Sequence, residues 1–192
     1  MRTVIGRTVL ELAEGDIAEQ DTDAVVTAAH WDLAGGQGTD GSVHFKAGPG
    51  LLEECRAIGG CPIGGAVITG GHRLKARHVI HAVGPVYDAG DEYEADLLAE
   101  TYRSSLRLAA RHGLKSLSLP SISTGAFNYP LPLAAPVAVR AIVGFLETEP
   151  HEIDLVRLVL YPREQEEAYS IYADALRALL AEKENAARES HV

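Results

Sequence analysis

The sequence predicts an α/β protein: a three-layer α/β/α sandwich around a mixed, mainly parallel sheet. Strand-like and helix-like segments alternate through most of the chain, the pattern of a sheet covered on both faces. The run Asp23-Ala24-Val25-Val26-Thr27-Ala28-Ala29 is almost uninterruptedly apolar and ends in small residues, which suits a fully buried strand. The 192 residues contain no internal repeat, low-complexity block or linker. One domain is therefore expected over residues 1–181, with a polar tail at 182–192 that frays.

In chain order, residues 3–12 are rich in β-branched and apolar side chains and read as one or two strands, closed by a turn at Glu14-Gly15-Asp16. The apolar run at 23–29 follows, then Gly35-Gly36-Gln37-Gly38-Thr39-Asp40-Gly41, with four glycines among seven residues. Residues 42–58 have helical character broken near Gly48-Pro49-Gly50. Two further strands are expected at 66–69 and 77–83. Residues 94–111 form a helix with Leu98, Tyr102, Leu106 and Ala109 near one face, and Gly113 marks its end. A short strand at 116–119 runs into Pro120, and a mostly apolar helix at 131–146 starts behind Pro130 and Pro132. Residues 154–161 are a strand of Leu and Val. The helix at 164–180 carries Ala168, Ile171, Tyr172, Ala175, Leu176 and Leu179 in a 3.6-residue rhythm.

Composition narrows the function classes. With 17 basic and 27 acidic residues the net charge is −10, which opposes broad electrostatic binding to duplex nucleic acid or an anionic membrane face. An anionic small ligand stays open, because backbone amides hold phosphate without lysine. No apolar run approaches the ~20 residues that span a bilayer, and the start lacks the apolar core of a secretory signal. Cys55 and Cys61 are too few for a disulfide framework or a four-ligand zinc site. A reducing, cytoplasmic setting is expected.

Three loops follow predicted strands and would face one cleft in a parallel sheet: Gly15-Asp16-Ile17, the stretch from Thr27 to His44, and Ser121 to Phe127. The glycine run is either an amide nest for phosphate or a surface loop, and it matches neither a dinucleotide fingerprint nor a P-loop. Ser123-Thr124-Gly125 is either a second amide cradle or a turn with hydroxyl caps. Phe127 either stacks on a sugar or base, or belongs to the core. Asp40 and His44 lie four apart and share a face if the helix has begun. They form a water-activating pair, or Asp40 is a cap and His44 an ordinary polar residue. The eight histidines show no metal-ligand spacing, and no serine sits in a nucleophile elbow.

With those residues in place, the sequence resembles the macrodomain family, in particular its ADP-ribose-processing hydrolases. The resemblance runs from about Val9 to Leu180. It rests on Glu14-Gly15-Asp16-Ile17, the run from Asp23 to His30, Gly35 to Gly48, Gly59 to Ala66, Val79 to Pro85, and Ser121 to Pro130. It implies a cleft for ADP-ribose or a derivative, ADP-ribosylated proteins as partners, and no cofactor. Asp16 would accept from the adenine amino group beside the Ile17 amide, and Tyr161 would stack on adenine. Gly35, Gly36, Gln37, Gly38 and Thr39 would face Ser123, Thr124, Gly125 and Ala126 across the diphosphate, with Phe127 beside the distal ribose. Asp40 would activate water, with His44 one turn later, to hydrolyse O-acetyl-ADP-ribose or to remove mono-ADP-ribose from proteins. The family's usual Asn-Ala-Ala-Asn is here Thr27-Ala28-Ala29-His30, followed by Trp31. Thr27 and His30 are thus the expected ligand-binding residues that depart from the pattern. Their departure makes a silent binding module for ADP-ribose or another nucleotide the alternative.

Overall fold

A computed structural model describes residues 1–88, 90–162 and 167–189. In chain order the elements are β1 (Arg2–Ile5), β2 (Thr8–Glu14), a 3-10 helix (Ile17–Glu19), β3 (Ala24–Ala28), α1 (Gly38–Ala47), α2 (Pro49–Ile58), β4 (Ala66–Gly70), β5 (His78–Ala82), α3 (Glu92–Arg111), β6 (Ser116–Leu119), α4 (Leu131–Thr148), β7 (Leu155–Leu160) and α5 (Ala168–Glu189). The sheet runs β1-β2-β7-β6-β3-β5-β4. The strands from β2 to β5 in that order are parallel neighbours, and β1 and β4 close the two edges antiparallel. The sandwich and its mainly parallel sheet are as expected.

Alternation along the strands builds two cores. In β3, Ala24 and Val26 join the larger core with α3, α4 and α5, while Val25 joins a smaller one with α1 and α2. In β5, Ile80 and Ala82 face the larger core and Val79 the smaller. This phase puts Thr27 and His81 on the α1/α2 side, where both are fully buried. Leu106 of α3 is fully buried in the larger core. Leu106→Ala is expected to cost about 2–5 kcal/mol of stability, read as a lower urea midpoint with an unchanged slope.

Two differences from the sequence reading have local causes. The helix expected from residue 42 begins at Gly38, so Asp40 and His44 lie in one helix. The break falls at Gly48, within the expected Gly48-Pro49-Gly50, where a φ of +82° turns the chain from α1 into α2. The expected fraying tail is instead helical as far as Glu189. Residues 181–189 are mostly Ala, Glu, Lys and Arg, which favour helix. Ion pairs Arg140–Glu182 (2.6 Å) and Lys183–Glu147 (2.6 Å) tether that stretch to α4. The expected start of this helix at Glu164, and His191, lie outside the described residues. Finally, α4 is long and apolar enough to cross a membrane by length and composition. It packs between α3 and α5, with Ala134, Ala138, Val139 and Ile142 fully buried.

Candidate functional site

A cavity of about 590 Å³ opens beyond the carboxyl ends of β2, β3, β6 and β7. Its size is that of a small-ligand site. Of the residues expected to bind ligand, Asp16, Ile17, Gln37, Gly38, Thr39, Ser123, Thr124, Gly125, Ala126, Phe127 and Tyr161 line it. Thr27, His30, Gly35 and Gly36 do not, nor do Asp40 and His44.

At one end Asp16 caps the 3-10 helix, accepting from the Ala18 amide at 2.9 Å. Ser42 Oγ (3.0 Å) and Lys46 Nζ (2.8 Å) donate to its other oxygen. Partial burial alone would raise its pKa, but the bonds from Lys46, Ala18 and Ser42 hold the carboxyl below its ordinary value. Ser42 and Lys46 are one turn apart on α1, so the helix itself orients this acid. Ile17, Val159 and Leu160 give this end apolar walls, and Tyr161, 62% exposed, stands at its edge.

The middle is built from two chain turns. Gln37 precedes α1 without a side-chain cap, and the first turn of the helix, Gly38 and Thr39, lines the cavity. Opposite lies the turn after β6. It is held by Thr124 Oγ1 donating to the Ser121 carbonyl (3.0 Å), the Asn128 amide to Gly125 (3.0 Å), and the Tyr129 amide to Ser123 (3.0 Å). Ser123 has φ +66°, and its Oγ is buried without a hydrogen-bond partner. A Cβ on Gly84 would come within 2.3 Å of that oxygen, so only glycine fits behind the turn.

Asp40 takes a different position from the one expected. It is 3% exposed and accepts from Thr27 Oγ1 at 2.9 Å. Thr27 is thus a buried partner of Asp40 rather than a ligand contact, because the phase of β3 turns it under α1. His44 Nε2 lies 3.7 Å from Asp40 Oδ1. The glycine loop covers both side chains. A Cβ on Gly36 would stand 3.5 Å from Asp40 Oδ2, and one on Gly35 would stand 3.5 Å from the His44 ring. Burial raises the Asp40 pKa, against the attraction of His44 and the bond from Thr27.

Behind this pair, donor atoms of His44, Cys55 and His81 lie within 4.8 Å of one another. They come from α1, α2 and β5, so no local spacing announces them. Thr69 Oγ1 already bonds His81 Nε2 at 2.9 Å. Burial pushes the His81 pKa down to about 3 and the Cys55 thiol up to about 11. Both groups are therefore neutral near pH 7, and a bound cation would have to remove the thiol proton.

At the end away from Asp16, Phe127 lines the cavity and meets the His30 ring edge-on, with centroids 6.4 Å apart. His30 Nδ1 lies 2.9 Å from Asp32 Oδ1, and Trp31 packs against His30 at 5.4 Å. Sequence reasoning missed Asp32, Ser42 and Lys46. The last two were readable as a one-turn pair, given an earlier helix start.

Comparison with known proteins places this geometry. The family model described as Macro domain matches residues 26–138. An Enterobacter cloacae protein named O-acetyl-ADP-ribose deacetylase is 46% identical over 145 residues, 73% of this chain and 81% of its own. Other relatives are named only as macro domain-containing proteins. The Oceanobacillus iheyensis macrodomain solved with ADP superposes with a TM-score of 0.88 at 38% identity, covering 95% of this chain and 97% of that one. The Trypanosoma brucei macrodomain in complex with ADP-ribose gives 0.79 at 36% identity, covering 87% and 68%.

Proposed function

Because the chain belongs to the macrodomain family, we propose that its cavity binds ADP-ribose, adenine at the Asp16 end and diphosphate at the start of α1. The observation that carries this is the uncapped start of α1 facing the Ser123–Ala126 turn, with the unpartnered Ser123 Oγ between strand exits. Free amides and the helix dipole attract phosphate over a short range. The net charge of −10 is spread over the surface and screened within ~10 Å. The ionised Asp16 accepts from the adenine amino group, and the Tyr161 ring offers a face for stacking. Asp16→Ala is expected to weaken ADP-ribose binding about tenfold, the worth of one charge-assisted hydrogen bond. Calorimetry checks this, and no heat of binding at millimolar ADP-ribose would sink the reading.

The finer reading is hydrolysis, of an acetyl ester on the distal ribose or of the bond from that ribose to a protein. Asp40 is the base. It sits in the first turn of the helix whose amides face the phosphates, and burial makes it a stronger base than an exposed carboxylate. The deacetylase relative supports this chemistry. A second reading, binding without turnover, is favoured by the Thr27 bond, which occupies one Asp40 oxygen.

A further inference from the structure

We propose that His30 donates a proton to the leaving group, with Asp32 as its positioning residue, and that the chain cleaves ADP-ribose from an alcohol oxygen such as a serine hydroxyl. This rests on the hydrolytic reading above and names its substrate class.

Asp40 leaves one half of the reaction undone. A buried base takes a proton from water, but it cannot help an alkoxide leave. An alcohol oxygen is too basic to depart without a proton, whereas a carboxylate departs unaided. The described residues offer such a donor in His30, just outside the cavity lining and in ring contact with Phe127. Asp32 is held by the Ala34 amide, which donates to its Oδ1 at 3.0 Å. That bond, and then His30, keep the carboxyl below its ordinary pKa. The same oxygen lies 2.9 Å from His30 Nδ1 and so fixes which ring nitrogen turns away. Nε2 has no hydrogen bond from the described residues, and the ring packs against Trp31 (centroids 5.4 Å apart) and meets Phe127 edge-on (6.4 Å). With adenine at Asp16 and the diphosphate at Ser123–Ala126, the sugar beyond lies toward Phe127, the lining residue whose ring centroid is 6.4 Å from that of His30.

The step balances. Water attacks the anomeric carbon and its proton passes to Asp40. The bond from that carbon to the alcohol oxygen breaks, its electron pair stays on that oxygen, and the oxygen takes the Nε2 proton of doubly protonated His30. The products are ADP-ribose and the free alcohol. Solvent returns a proton to His30 and removes one from Asp40.

The test compares ADP-ribose attached to a serine peptide with ADP-ribose attached to 4-nitrophenol, whose phenolate leaves without a proton. His30 and Asp32 have side chains 45% and 41% exposed, so their replacement does not disturb the core. His30→Gln is expected to lose about 100-fold in kcat on the serine substrate and under about 5-fold on the nitrophenyl one. Asp32→Asn should show the same split, more weakly, and both variants should keep ADP-ribose affinity by calorimetry. Equal losses on both substrates, or no loss on serine, would overturn the proposal alone. A wild-type chain that turns over O-acetyl-ADP-ribose but cleaves neither substrate would overturn this proposal alone, and one that binds ADP-ribose but turns over none of the three would overturn the hydrolytic reading as well, leaving the binding site standing.

Discussion

Asp40→Asn is expected to lower turnover of ADP-ribose substrates by about 10²–10⁴-fold, the range for losing a positioned general base. Affinity for ADP-ribose should barely change, because the Asp40 side chain does not line the cavity. Stability should rise. Burial disfavours the charged carboxylate by more than His44 and Thr27 favour it, so the folded pKa lies above that of the unfolded chain. The folded state therefore binds this proton more tightly. Stability from this group is fully present below the unfolded pKa and is lost as pH rises through the folded one. Above the folded pKa the wild type bears the penalty of a buried charge, and asparagine, similar in shape and neutral, removes it. Thermal melts should thus show the variant gaining on the wild type as pH rises, with the gap closing in acid as Asp40 takes up its proton. A variant that is slower and more stable marks a group kept for chemistry at the expense of folding. Wild-type turnover in Asp40→Asn, measured on O-acetyl-ADP-ribose and on mono-ADP-ribosylated protein, would remove Asp40 as the base.

The parallel core was legible because burial on both faces leaves a clear trace: strands such as 24–29 and 155–160 are apolar with only Thr27 and Arg157 interrupting, and do not alternate. The Asp40–His44 relation was legible as well, since four residues make one helical turn. What escaped has a common cause. Glycines are poor helix formers, so the start of α1 at Gly38 was hidden, and with it the depth of Asp40 and the Ser42–Lys46 grip on Asp16. Pairing of Thr27 with Asp40 depends on the phase of β3 against α1, which only the assembled layers decide. The His30–Asp32 contact joins residues two apart in a loop, where no period says which side chains meet. The last turns of α5 were misread because polar composition was taken for disorder, although their residues favour helix and two ion pairs fasten them to α4.

Gly41→Ala is expected to weaken ADP-ribose binding about 100-fold, the loss of two amide–phosphate bonds at ~1.5 kcal/mol each. Helix propensity argues the other way, since alanine is better than glycine within a helix by about 1 kcal/mol. Distance decides between them. A Cβ at Gly41 would stand 2.5 Å from the Gly36 carbonyl oxygen and 3.4 Å from its carbon, both backbone atoms that no rotamer change can clear. The loop at Gly35–Gln37 must therefore lift, carrying the Gln37 and Gly38 amides away from the Ser123–Ala126 turn. The comparison is Gly144→Ala in α4, where nothing lies within 4 Å of the added carbon. There propensity acts alone, and stability should rise by roughly 0.5–1 kcal/mol with binding untouched. Calorimetry and urea melts on the two variants separate the effects. If Gly41→Ala binds ADP-ribose as tightly as wild type, the close approach of loop and helix does not shape the phosphate cradle, and the amides at the start of α1 lose their role.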